Sequence, residues 1–274
     1  MRYLTQSFAY IKKTFLLYGM LALVPAILLG LFCTPLDTTI FWIFYRGNNV
    51  HNIGDMFHLV FNVPLYSRVY PLVIIVLSLI ICCSLTYNSM ETHMKVGKLT
   101  IGNPMHGVNY TVIPVSITLF WFILFINVLK FIVTVLAYVI HLLFINSQGS
   151  AFPVFLIAMM AVILVFLVVS MAFSMLLWIP AMIMSGYNFR DMAAYSIRLV
   201  QKNIWQLFIS MAVPLSATII LLIVLAASQI SAALLTVLSV AIYLFWILYL
   251  QSFSMIAYFD LTENERADLR MVNL

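Results

Sequence analysis

Charge is the scarcest feature of this sequence: 8% of its 274 residues are Asp, Glu, Lys or Arg, against about a quarter in an ordinary soluble domain. A water-soluble globule is excluded. So is intrinsic disorder, which needs a polar composition. The acidic residues, Asp37, Asp55, Glu91, Asp191, Asp260, Glu263, Glu265 and Asp268, all lie between or after the long apolar runs. Ion-coupled pumps commonly use membrane-buried carboxylates as relays. Their lack argues against a proton-driven carrier of that design, although ion sites can also be built from backbone carbonyls. It argues equally against acid–base catalysis inside a membrane, which needs a positioned titratable pair. HExxH, P-loop and nucleophile-elbow motifs are missing, so neither an enzyme nor a cofactor is expected. Cysteine is sparse too: Cys33, Cys82 and Cys83 make no framework. Cys82 and Cys83 are neighbours whose side chains would point about 100° apart on a helix, and they read as small apolar residues of a bundle.

What the chain has in abundance is apolar length. Hydrophobic residues make up 65% of it, and the mean hydropathy is +1.13. Six runs stand out: 14–33, 70–87, 112–145, 153–184, 204–227 and 230–259. A span needs about 20 residues, and continuous runs specify helices rather than the alternating strands of a barrel. The predicted fold is therefore all-α: one polytopic membrane domain over residues 1–274 with six transmembrane helices. The first run follows a basic stretch, but it is a full span with no small-residue cleavage site, so no cleavable signal peptide is expected.

The net charge of +5 is spread along the chain and predicts orientation rather than a nucleic-acid partner. An N-in, C-in arrangement puts Arg2, Lys12, Lys13, Lys95, Lys98, Arg190, Arg198, Lys202, Arg266 and Arg270 in the cytoplasm. Only Arg46 and Arg68 then lie outside, a strong positive-inside bias. The segments 88–111 and 186–203 become cytoplasmic loops, 260–274 a cytoplasmic tail, and 34–69 an extracytoplasmic loop. The location expected is the cell membrane.

Spans one and five have similar approaches. Ser7-Phe8-Ala9-Tyr10-Ile11-Lys12-Lys13 precedes the first, and Ser196-Ile197-Arg198-Leu199-Val200-Gln201-Lys202 the fifth. At an offset of 189, Ser7 falls on Ser196, Lys13 on Lys202 and Pro25 on Pro214. Each approach reads as a short amphipathic helix lying in the interface, with Lys12, Lys13, Arg198 and Lys202 towards headgroups. These segments, with Gly186-Tyr187-Asn188-Phe189-Arg190-Asp191-Met192-Ala193-Ala194-Tyr195 before Ser196 and Asn203-Ile204-Trp205 after Lys202, carry a resemblance. The chain resembles the six-helix bacterial proteins grouped with the membrane domain of glycerophosphoryl diester phosphodiesterases. The resemblance implies an integral membrane module. It implies no activity, and the soluble phosphodiesterase domain is not in this sequence.

Four other features are candidates for a role. In the outer loop, His51, Asp55 and His58 would share one helical face at zinc-like spacing, with no fourth ligand evident. In span three, Asn127, Lys130, Thr134, Tyr138 and His141 recur at steps of three and four and so share a face. That stripe is either a polar path or an interhelical seam, and Lys130 alone also fits a lysine snorkelling to the outer interface. Span six has a milder stripe in Thr236, Ser239, Tyr243 and Trp246. Ala22, Ala26 and Gly30 form a small-residue ridge on span one, a device for close helix packing in lipid.

Spans three and four, at 34 and 32 residues, predict an extended hairpin that protrudes beyond the bilayer. The loop 34–69, with Phe41, Trp42, Phe44, Phe57, Leu59 and Phe61, is expected to cap it. The function expected is a non-enzymatic scaffold or accessory subunit that binds another membrane protein or a second copy in the lipid bilayer. A permease subunit of an exporter driven by a separate ATPase is one alternative. Lipid handling or membrane-stress sensing is another.

Overall fold

The computed structural model describes residues 2–32, 69–97, 104–146, 159, 168–186, 189–227 and 232–270. The helices are α1 (Arg2–Phe32), α2 (Val69–Val96), α3 (Pro104–Asn146), α4 (Trp178–Ser185), α5 (Phe189–Ala227), α6 (Ala232–Leu261) and the short α7 (Ala267–Arg270). Residues 168–176 are also helical and lead through a turn at Leu177 into α4. No strand occurs among the described residues. Among the described residues, six helical stretches are long and apolar enough to cross a membrane: Arg2–Phe32, Tyr70–Val96, Tyr110–Leu129, Val168–Ser185, Phe189–Leu222 and Ala233–Leu261. The fold is an all-α polytopic membrane bundle.

The pairing of helices follows from their faces. On α1, Tyr3, Ser7, Tyr10, Thr14, Tyr18, Ala22, Ala26 and Gly30 are buried, a stripe at helical steps of three and four. The expected small-residue ridge is its upper half, and α1 packs most extensively on α6. At Gly30 a β-carbon would lie 3.0 Å from the backbone nitrogen of Val240 and 3.2 Å from its α-carbon. Only glycine allows that approach. Val240 is on α6, so the ridge brings the first and last long helices together, as close packing in lipid requires.

Prolines sit inside α1, α3 and α5 at Pro25, Pro114 and Pro214. A proline removes one N–H and leaves the carbonyl four residues earlier without its helical partner. For Pro214 that carbonyl is Ser210, and it accepts a hydrogen bond of 2.6 Å from the Tyr249 hydroxyl of α6. Thus a neighbouring helix satisfies the freed group, as a lipid environment demands.

The two amphipathic approaches differ. The first is not a separate helix, since α1 continues through Thr14, whose Oγ1 donates to the Tyr10 carbonyl at 2.8 Å. The second is set off by a kink in α5 at Asn203, with φ −129° and ψ 21°. Burial follows the offset only in part: Tyr3 and Met192, Ser7 and Ser196, Tyr18 and Leu207, Pro25 and Pro214 are all buried, but Tyr10, Thr14, Ala22, Ala26 and Gly30 are buried where Leu199, Asn203, Met211, Leu215 and Ile219 are not.

Both ends of the described chain lie together. Arg2 at the start of α1 pairs with Asp260 at the end of α6 at 2.7 Å. The core gathers at this end: Leu248, Tyr249 and residues 251–259 of α6 are buried, with Tyr87, Met90 and Met94 of α2 and Leu177–Ile183 before and in α4. Away from it, the described residues of α3 beyond Thr118 and of α5 beyond Pro214 include no buried side chain. The helix α3 has 43 residues, about 65 Å at 1.5 Å each, longer than the run read from the sequence because it begins at Pro104. The expected hairpin turn and the loop 34–68 lie outside the described residues.

Candidate functional site

The densest set of polar side chains is buried at the end of the bundle that holds both termini. Tyr10 of α1 and His93 of α2 share a hydrogen bond between Oη and Nδ1 of 3.0 Å. The Tyr10 and Tyr18 hydroxyls lie 3.4 Å apart, and Tyr18 reaches Ser89 Oγ at 3.4 Å. A second set joins α2 to α6: Gln251 Nε2 donates to Cys83 Sγ at 3.2 Å, and Tyr87 and Ser254 share a bond of 2.8 Å. A third holds the lower end of α4. Ser185 and Tyr258 hydroxyls are 2.6 Å apart, and the Tyr110 hydroxyl of α3 donates to the Ile183 carbonyl at 2.8 Å. Ile183 belongs to the last turn of α4, whose carbonyls have no partner within the helix. Gly186 in the left-handed region closes that turn, donating its N–H to Met182 at 3.1 Å.

A strap follows α6. Arg266 makes a two-pronged pair with Asp268, Nη2 to Oδ2 at 2.8 Å and Nε to Oδ1 at 3.2 Å, and also donates to Gln6 of α1 at 3.3 Å. The Arg266 and Asp268 side chains are only 8% and 5% exposed, and α7 packs on α2. The strap therefore ties α1 to α2 beside the Tyr10–His93 pair. Six further buried polar atoms have no hydrogen-bonding partner among the described residues: the Oγ atoms of Ser7, Ser84, Ser196 and Ser252, Trp178 Nε1 and Gln251 Oε1.

Chemically the cluster is made of hydroxyls, an amide, a thiol and one imidazole. Such groups give directional bonds between helices. Large aromatic side chains fill the space around them: Tyr3 meets Phe253 edge-on at 6.3 Å, and Tyr249 stacks on Phe253 at 5.9 Å.

The sequence candidates fall elsewhere. His51, Asp55 and His58 lie outside the described residues. The stripe Asn127, Lys130, Thr134, Tyr138 and His141 sits on unbroken helix in α3, so its members do share a face. Asn127 Nδ2 donates to the Ile123 carbonyl at 2.8 Å, and Tyr138 is half-buried. The side chains of Lys130, Thr134 and His141 are outside the described set. On α6, Ser239 bonds to the Leu235 carbonyl of its own helix at 2.8 Å, and Trp246 Nε1 donates across to Thr218 Oγ1 of α5 at 3.2 Å. Lys12, Lys13, Arg198 and Lys202 are exposed. Sequence reasoning missed His93, Gln251 and the Arg266–Asp268 pair, which belong to no motif. The stripe of Tyr3, Ser7, Tyr10, Thr14 and Tyr18 was detectable by its period, since polar residues repeating on one face of a membrane helix mark a buried side. No family model, no curated protein and no solved structure matches the chain.

Proposed function

We propose that this chain is a non-enzymatic scaffold or accessory subunit that binds another membrane protein, seated in the cell membrane with both termini cytoplasmic. The observation that carries the reading is α3. Its exposed apolar residues run from Tyr110 and Ile113 through Phe120, Leu124 and Phe131 to Val139, a strip of about 44 Å by helix rise. A hydrocarbon core is about 30 Å thick, and a tilt of 40° lengthens the path only to about 39 Å. Part of the strip therefore extends past the lipid tails, where a protein surface is the remaining apolar cover. The flanks agree. Of the most apolar stretches of α3 and α5, only 11% and 17% is buried. Several polar groups of the core, by contrast, are bonded to one another across helices. The basic end that holds Lys12, Lys13, Lys95, Arg198 and Lys202 supports the cytoplasmic placement.

The test is a photo-crosslinking residue placed singly at Leu124, Val128, Phe131 and Val139, activated in native membranes. Neighbouring positions should give one discrete protein adduct of constant mass. Labelling of lipid alone at all four positions overturns the reading.

A further inference from the structure

The described cations divide into two groups. Arg2, Lys95 and Arg266 each hold a carboxylate, Asp260, Glu91 and Asp268 respectively, within 2.8 Å. Lys12, Lys13, Arg190, Arg198 and Lys202 are exposed, and among the described residues none has a carboxylate within ion-pair distance. These five sit on two helices, α1 and α5, that touch each other.

Each group lies towards the end of the bundle where Arg2 meets Asp260. Lys202 lies eight residues before Ser210, about 12 Å along the helix, and the Ser210 carbonyl is bonded to Tyr249. Asp260 lies eleven residues beyond Tyr249 on α6, about 16 Å towards the same end, and pairs with Arg2. On α1, Lys13 is one turn from Tyr10, which is bonded to His93 two residues before Lys95. Both basic groups thus belong to the end of the bundle where the helices leave the hydrocarbon.

Just past the cations on the membrane side, the same helices turn outward to apolar surroundings. Phe15 and Leu16 follow Lys13 and are 52% and 75% exposed; Trp205 follows Lys202 and is 70% exposed. A cation with an exposed aromatic or aliphatic chain one turn deeper matches a ligand with an anionic head and an apolar tail. Free phosphate uses only the first half of that arrangement.

We propose that Lys12 and Lys13 of α1 form one binding site for the headgroups of anionic phospholipids, and that Arg198 and Lys202 of α5 form a second. The lysines act as point charges on the phosphodiester, while Arg198 offers a two-pronged donor. The acyl chains lie on Phe15 and Leu16 at the first site and on Trp205 at the second. Neither site depends on the partner-binding reading, because that reading is carried by α3 and these sites use α1 and the first half of α5.

The experiment uses the whole purified chain in nanodiscs of phosphatidylcholine mixed with phosphatidylglycerol, and counts the lipids that stay bound in native mass spectrometry. The chain should retain phosphatidylglycerol in preference to phosphatidylcholine. The variant K12Q/K13Q/R198Q/K202Q should lose that preference, by roughly fivefold in affinity for each charge removed. The charge-conserving K12R/K13R/R198K/K202R should keep it. If the fourfold glutamine variant does not fold, K12Q/K13Q and R198Q/K202Q measured separately should each lose part of it. Retention of full preference by the glutamine variants overturns the proposal, as does the lack of any preference in the unaltered chain. Displacement of phosphatidylglycerol by inorganic phosphate would mean a free-anion site and would also overturn it.

Discussion

At Gly30 the missing side chain is what matters. The Val240 backbone occupies the space that a β-carbon would need, so Gly30→Val should lower stability by about 1–3 kcal/mol. The measurement is unfolding of the detergent-solubilised chain by titrated SDS. Adding Val240→Ala should recover only part of the loss, because backbone atoms as well as the valine methyls stand in the way. The ridge itself was legible, since Ala22, Ala26 and Gly30 fall at fixed spacing. Its partner was not, because nothing local in α1 points to a residue 210 positions away. The same holds for Tyr249. Its bond to Ser210 answers the loss of an N–H at Pro214, and Tyr249→Phe should cost about 0.6–1.7 kcal/mol. In a Pro214→Ala background, where the helix can supply its own donor, the same change should cost less. That double-mutant cycle measures the coupling directly.

Among the elements, α1 and α5 show how far a shared pattern reaches. Their approaches share a few positions in sequence and in burial, yet only α5 bends. The position is Thr14 in one and Asn203 in the other. Thr14 bonds back to the Tyr10 carbonyl and stays helical. Asn203 leaves the helical region, as asparagine does more readily than most residues, while its Nδ2 still reaches the Leu199 carbonyl at 3.4 Å. Amphipathicity records which face is buried but not whether the axis continues, so the kink was not legible. The strap was hidden for another reason: Arg266 and Asp268 look like tail charges until α7 places them against α1 and α2. Removing one member of a buried pair leaves the other charge uncompensated. Asp268→Ala should therefore cost about 3–5 kcal/mol, and Arg266→Met combined with Asp268→Leu much less. Thermal unfolding in mild detergent distinguishes the two.

For the whole molecule, span number and helical class were legible because lipid leaves so few solutions to backbone hydrogen bonding. The buried cluster of Tyr10, Tyr18, Ser89 and His93 was not, since it is assembled from residues more than 70 positions apart. The Arg2–Asp260 pair places the two ends of the described chain on one side, and the proposed orientation puts that side in the cytoplasm. A phosphatase reporter fused after Leu274 should accordingly be inactive in a bacterial host; high activity would reverse the orientation.

The pairing of α1 with α6 also has a consequence for biogenesis. Phe32 and Ala232 are 200 residues apart, which at 5–20 residues per second is roughly 10–40 s of translation. Through that interval the first helix to emerge has its tyrosine stripe and glycine notch ready, but the surface that receives them has not yet been made. The nascent chain must hold α1 against α2, or against the insertion machinery, until the last long helix arrives. Closure of the strap can only come after that. Assembly is thus completed from the end of the chain, and a ribosome that stalls before α6 leaves in the membrane a helix whose polar face has no final home.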